Sequence, residues 1–86
     1  MWVILSYDVN KKRVNDVRKL CLPYLRWIQN SVFVGDITKA NLTILTSKLN
    51  KKIEPSEDSV QIFILRDKKL AKRLTIGISK EFSNII

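Results

Sequence analysis

The feature that most constrains the fold is the apolar run Trp2–Asp8, which reads WVILSYD and ends in a carboxylate. Its aromatic and β-branched residues predict a strand. Alternation along a strand divides its side chains between two faces: Val3, Leu5 and Tyr7 on one, and Ile4, Ser6 and Asp8 on the other. Both faces are apolar near the middle, so we expect the strand to be covered on both sides. Asp8 then serves either as a helix cap or as a functional group.

Two amphipathic helices are predicted from apolar residues that recur every three or four positions. The first runs from about Lys11 to Leu22 and is ended by Pro23, with Asp8 or Asn10 as candidate cap. Its apolar stripe consists of Val14, Val17, Leu20, Cys21 and Tyr24. The second runs from Lys39 to about Asn50 after the cap Thr38. Its stripe consists of Leu42, Leu45 and Leu49, widened by Ile44.

The remaining segments are predicted strands. Leu25–Gln29 and Ser31–Ile37 meet at Asn30 and form either a tight hairpin or a strongly bulged strand. Gly35 marks a bulge or a close backbone approach. Ser59–Arg66 is a further strand whose two faces both look covered, and Leu74–Ile78 is a short final one.

This order predicts an α+β, ferredoxin-like fold of type β-α-β-β-α-β with an antiparallel sheet and an extra C-terminal strand. Residues 1–86 form a single domain. Because two helices cover only one face of such a sheet, we expect the other face to pack against a second copy in a homodimer. The final strand could pair with a free edge of that partner.

The charge balance points to a polyanionic partner. The chain has 16 Lys and Arg against 8 Asp and Glu, a formal net charge of +8. Binding to nucleic acid is the more specific explanation of this positive charge, and a solvated, soluble surface is the alternative. The absence of histidine excludes His-based catalysis and makes a zinc site improbable, while the single cysteine, Cys21, excludes an internal disulfide. No apolar run approaches the length of a membrane span, so we expect a cytoplasmic protein without a membrane partner.

Two further segments resemble a known family. Tyr7-Asp8 ends the first strand and is followed by a basic helix, and the segment Leu25–Thr38 contains Arg-x-x-Gln-x-Ser-Val-Phe-x-Gly. Both are similar to the small nuclease of the CRISPR adaptation module, the CRISPR-associated protein two family. The acidic turn Glu57-Asp58 before the strand at Ser59 also resembles that family.

The resemblance implies a ferredoxin-like homodimer that hydrolyses phosphodiesters of single-stranded RNA or duplex DNA with a metal ion. It also implies a role in spacer acquisition together with the CRISPR-associated integrase. The family's metal-binding aspartate corresponds to Asp8, which makes Asp8 both the catalytic and the metal-binding candidate. Mg²⁺, or Mn²⁺ in its place, suits this chemistry because it activates water without a histidine and needs only one or two protein carboxylates.

Phosphate contacts are expected from basic residues that flank Asp8 or belong to the matched segment: Lys11, Lys12, Arg13, Arg18 and Arg26. Tyr7 and Phe33 are expected in the core, and Asp36, Asp58 and Asp67 are expected in turns or caps. A non-catalytic DNA-binding scaffold and a related toxin-like ribonuclease remain open alternatives. A general RNA-binding module lacks support because no strand carries the aromatic motif of such modules.

Overall fold

The computed structural model describes residues 1–66. The elements follow in the order β1 (Trp2–Asp8), α1 (Lys11–Cys21), β2 (Arg26–Gln29), β3 (Val32–Asp36), α2 (Lys39–Lys52) and β4 (Ser59–Leu65). This confirms the predicted ferredoxin-like α+β order. The predicted strand Leu74–Ile78 and the basic segment before it lie outside the described residues.

The sheet is built around β1. Its strand order is β2-β3-β1-β4, and all three neighbouring pairs are antiparallel. Leu5 of β1 lies opposite Phe33 of β3 on one side and Ile62 of β4 on the other. β1 is therefore hydrogen-bonded along both edges; its register with β3 runs from Trp2 to Ser6, and only the register with β4 extends to Asp8.

The core lies between one face of the sheet and the two helices. Val3, Leu5 and Tyr7 of β1 are buried there together with Phe33 of β3. The helices contribute Val17 and Cys21 from α1 and Leu45 and Leu49 from α2. The core positions predicted for Tyr7 and Phe33 are confirmed. Burial raises the pKa of the Cys21 thiol to about 12, so this residue is a packed, protonated thiol at neutral pH.

The opposite face of the sheet, here called the outer face, carries Ile4, Ser6 and Asp8 of β1. Ile4 lies between Val34 of β3 and Phe63 of β4. Phe63 is 55% exposed within residues 1–66. The helix layer reaches Val60 and Ile62 of β4 but leaves Ile64 exposed, so the prediction that both faces of this strand are covered is not met within residues 1–66.

Both helices begin at side-chain caps. The N–H of Lys12 donates to Asn10 Oδ1 at 3.0 Å, and the N–H of Asn41 donates to Thr38 Oγ1 at 3.1 Å. These bonds satisfy N–H groups that have no partner inside the helix. The cap predicted at Thr38 is confirmed, and Asn10 takes the cap position for which Asp8 was the other candidate. Neither helix of residues 1–66 is long and apolar enough to cross a membrane.

The segment between the helices is both a tight hairpin and a bulged strand. Asn30 turns the chain with a φ of 42°, and its carbonyl accepts a 2.8 Å hydrogen bond from Trp27 Nε1. The bulge lies in β2 between Trp27 and Gln29. Gly35 instead marks a close approach, because a Cβ there would lie 3.2 Å from Leu25 Cδ2.

Ile44 does not widen the apolar stripe of α2, contrary to the sequence prediction. It is 45% exposed, whereas the adjacent Leu45 is fully buried. The stripe follows positions 42, 45 and 49, and Ile44 projects away from the sheet beside it. Neighbouring positions on a helix differ by about 100° in direction, which is enough to separate core from solvent.

This pair gives a test of the packing. Leu45→Ala should lower the free energy of unfolding by about 2–5 kcal/mol, because it removes buried methyl groups and leaves a cavity. Ile44→Ala, one position away on the same helix, should change it by only about 0.5 kcal/mol. Urea unfolding followed by circular dichroism, at one fixed protein concentration, measures both. Equal losses in the two variants would contradict the assignment of the core face.

Candidate active site at the end of the central strand

Asp8 lies at the last position of β1, where the chain leaves the sheet. It is exposed, and its cross-strand neighbour is Ser59 at the start of β4. Because Asn10 caps α1, the Asp8 carboxylate is not used as a cap. Within residues 1–66 it has no hydrogen-bond or ion-pair partner. A carboxylate in this position is available to a ligand from solvent or from another chain.

The donor set around Asp8 fits a hard divalent cation better than a structural metal. Residues 1–66 contain no group of three or more His, Cys, Asp or Glu side chains that could hold a metal ion. Zinc usually requires such a set, whereas Mg²⁺ keeps several waters and takes one or two carboxylates together with phosphate oxygens. One chain therefore offers Asp8 as a single carboxylate ligand, which a second copy or a phosphate would complement.

Lys11 and Lys12 are the predicted phosphate contacts that lie closest to Asp8 along the chain. Both are exposed in the first turn of α1, directly after the cap Asn10. That turn contains no acidic residue. The positive end of the α1 dipole and the two ammonium groups together favour an anion at this end of the molecule.

Arg13 is engaged by two carboxylates of the connection between α2 and β4. Its Nε donates to Asp58 Oδ2 at 2.5 Å and its Nη2 donates to Asp58 Oδ1 at 3.1 Å. Nη2 also donates to Glu57. The hydrogen bond to Asp58, followed by that to Glu57, raises the pKa of Arg13 further above its usual range. The guanidinium thus links α1 to the start of β4.

Asp58 accepts hydrogen bonds from three residues at this contact. Its side chain is fully buried and also accepts the backbone N–H of Asn10 at 2.8 Å and that of Glu54 at 2.8 Å. The Arg13 guanidinium holds the pKa of the Asp58 carboxyl well below its usual range, helped by the two N–H donors and opposed by burial. Asp58 thereby ties the β1–α1 connection to the α2–β4 connection.

Asp58 was predicted in a turn or cap, and the hydrogen bond that it accepts from the Glu54 N–H within the turn agrees with that prediction. Its contacts with Asn10 and Arg13 were missed. A usable signal was present: Glu57-Asp58 immediately precedes β4, and a basic residue follows shortly after β1. In an antiparallel pair, the segment that follows one strand meets the segment that precedes the other.

Arg18 contacts the ring of Trp27, and Arg26 lies at a different level of the sheet from Asp8. The Arg18 guanidinium carbon is 5.1 Å from the centroid of the Trp27 ring, between α1 and β2. Arg26 lies opposite Val34, which lies opposite Ile4, so it shares the outer face with Asp8. The four residues from Ile4 to Asp8 separate these positions by about 13 Å along the strand direction.

The fold and this site define a class: small α+β proteins with a ferredoxin-like sheet and a solvent-facing carboxylate at the end of the first strand. Comparison with known proteins identifies the family within this class. The sequence model of the family described as CRISPR associated protein Cas2 matches residues 1–73. The chain belongs to this Cas2 family, as the resemblance in its sequence predicted.

Individual relatives with similar sequences or structures support this family assignment. The CRISPR-associated endoribonuclease Cas2 of Dictyoglomus turgidum is 44% identical over 93% of this chain and 92% of its own length. That of Methanosarcina acetivorans is 40% identical over the whole of both chains. Among solved structures, a crystal structure of Cas2 superposes with a TM-score of 0.88 at 42% identity and covers 100% of this chain and 97% of that one. The similarity thus extends over the whole fold.

The contact between Arg13 and Asp58 predicts a pH dependence. A carboxyl whose pKa is lowered by folding stabilises the protein above its unfolded pKa of about 4, and this contribution is lost as pH falls toward the lower folded pKa. Asp58→Asn should therefore be less stable than the unaltered protein at pH 7, and the difference should shrink below about pH 4. Urea unfolding across this pH range measures it. A difference that is constant with pH would contradict the charged pairing.

Proposed function

We propose that this chain is a divalent-metal-dependent endonuclease of the CRISPR adaptation machinery that hydrolyses phosphodiesters of single-stranded RNA, duplex DNA or both. The observation that carries the proposal is the position of Asp8: an exposed carboxylate at the end of the central strand, released from capping by Asn10. The curated relatives are named as endoribonucleases, which supports phosphodiester hydrolysis as the reaction.

Asp8 would hold Mg²⁺, or Mn²⁺ in its place, through its carboxylate oxygens. When bound, such an ion supplies a water of lowered pKa and neutralises charge that develops on the phosphate. Lys11 and Lys12 would bind the nucleic acid backbone beside it, and the positive end of the α1 dipole would favour the phosphate there. Hydrolysis adds water across the phosphorus–oxygen bond and leaves the strand with a phosphate on one side and a hydroxyl on the other.

We further propose that the active form is a homodimer packed through the outer face. Ile4, Val34 and Phe63 form an apolar row across this face, and Phe63 is more than half exposed. Val34 is already buried, so covering the row would remove from water mainly the apolar surface of Phe63 and Ile4. Because Asp8 projects from the same face, a second copy there would bring a second Asp8 close, and a shared cation would relieve the repulsion between the two carboxylates.

A non-catalytic scaffold that binds DNA and the CRISPR-associated integrase is the second candidate. It is favoured by the sparse donor set: within residues 1–66 Asp8 lies in no cluster of potential metal ligands. The high positive charge of the chain suits both candidates, because both require binding to a nucleic acid backbone. A cleavage assay therefore distinguishes the endonuclease from the scaffold, and a binding assay does not.

Asp8→Ala should abolish Mg²⁺-dependent cleavage while leaving fold and dimer intact, because the carboxylate has no structural partner within residues 1–66. Cleavage of single-stranded RNA and duplex DNA is measured with and without Mg²⁺. Asp16→Asn is the matched control: it removes an exposed carboxylate paired with Lys52 on the helix layer and should retain activity. Residual cleavage in Asp8→Ala equal to that of the unaltered protein would rule out the catalytic role and favour the scaffold.

The basic first turn of α1 gives a separate prediction for binding. Lys11→Glu/Lys12→Glu should weaken nucleic acid affinity and make the salt dependence of the dissociation constant shallower, because fewer counterions are released on binding. Fluorescence anisotropy at several salt concentrations measures this. Lys39→Glu/Lys51→Glu changes the net charge equally on α2. If both double variants lose affinity to the same extent, only net charge matters and the first turn of α1 has no special role.

A further inference from the structure

We infer that Asp58 is a positioning residue for Asp8, acting through the two chain segments that hold the end of β1. The inference rests on the proposed metal-binding role of Asp8. Asp58 accepts the backbone N–H of Asn10, two positions after Asp8, at 2.8 Å. It also directly precedes Ser59, the residue opposite Asp8 in the β1–β4 pair. One buried carboxylate thus ties the segment that follows the proposed metal ligand to the residue beside its cross-strand neighbour.

Three segments converge on this carboxylate. Oδ1 accepts from the Asn10 N–H and from Arg13 Nη2, and Oδ2 accepts from Arg13 Nε and from the Glu54 N–H. These donors belong to the β1–α1 connection, the first turn of α1 and the α2–β4 connection. Other hydrogen bonds at this point join residues that are close in sequence. For example, the Arg13 N–H donates to the Asn10 carbonyl at 2.8 Å. The hydrogen bond from the Asn10 N–H to Asp58 instead joins the β1–α1 connection to the α2–β4 connection, 48 residues away in sequence.

The pairing with Arg13 makes the arrangement rigid. A fully buried carboxylate needs a charged partner and filled hydrogen-bond sites, and here both oxygens are satisfied twice. The guanidinium approaches through two nitrogens in a fork that lysine cannot reproduce. A change to either partner would therefore loosen the hydrogen-bonded cluster rather than let it rearrange.

Rigidity at this point matters because Asp8 lacks support of its own. Within residues 1–66 no side chain or backbone group bonds its carboxylate, so its direction is set by the backbone of β1 and of the turn that follows. Groups that orient a metal ligand without touching the metal typically change metal affinity 10–100-fold when they are altered. Asp58 differs from such groups only in acting through the backbone.

The test compares Mn²⁺ binding to the full chain and to four variants by isothermal titration calorimetry, at a temperature where circular dichroism shows each one folded. Asp58→Asn should raise the Mn²⁺ dissociation constant about tenfold. Glu57→Gln removes the same charge from the other carboxylate on Arg13 and should leave that constant nearly unchanged. Arg13→Lys keeps all charges but loses the fork, and should give an intermediate increase. Asp8→Ala should bind no Mn²⁺ at the site.

Cleavage gives a second readout that stability alone would not move. In Asp58→Asn the Mn²⁺ concentration for half-maximal rate should rise about tenfold, and excess Mn²⁺ should restore most of the maximal rate, because Asp8 itself is intact. A purely structural role would lower the maximal rate with the folded fraction and leave the half-saturating concentration unchanged.

The outcomes are distinguishable. If Asp8→Ala loses Mn²⁺ binding while folded Asp58→Asn binds as Glu57→Gln does, the positioning role is overturned and the proposed function stands. If Asp8→Ala binds Mn²⁺ like the unaltered protein, the metal role of Asp8 and the positioning role both fail. Should Asp58→Asn not fold, Arg13→Lys decides: affinity equal to that of the unaltered protein overturns the inference.

Discussion

The hydrogen bonding of β1 along both of its edges is the constraint on which the described fold depends. β3 and β4 pair with it over most of its length, and their registers place Phe33 and Ile62 beside Leu5 at the centre of the core. A strand held on both sides cannot shift by one residue without exchanging its two faces. The same register that buries Val3, Leu5 and Tyr7 therefore places Asp8 on the outer face at the strand's end.

The end of that strand is further fixed by a buried charge. Removing the Asp58 carboxylate from water is unfavourable in itself, and the structure offsets this with the Arg13 guanidinium and two backbone N–H groups. Such a cluster contributes less to stability than its bond count suggests, since each bond replaces one to water. Its main effect is specificity of position: it joins segments that are 45 residues apart at the place where the proposed site lies.

The two faces of the sheet have different roles. The helix-covered face contains the core around Phe33 and Leu45, while Ile64 of β4 on the same face stays exposed within residues 1–66. The outer face keeps Phe63 exposed beside Ile4, and Asp8 lies on the same face. Apolar cover and a second carboxylate would come from the same direction, so the proposed metal site depends on the proposed dimer.

Sequence alone determined the element order, the Thr38 cap, the core face of β1 and the family, because these depend on local periodicity, cap chemistry and contiguous motifs. It located Asp8 at the end of a strand but left its role as a cap open, since Asp and Asn are equally good caps. It misassigned Ile44 because a count of apolar residues does not fix the width of a helix's buried stripe. Only the tertiary structure decided that Asn10 is the cap and that Arg13 is bound to Asp58. Those facts depend on contacts between distant segments, and the antiparallel pairing of β1 with β4 is what brings the segments together.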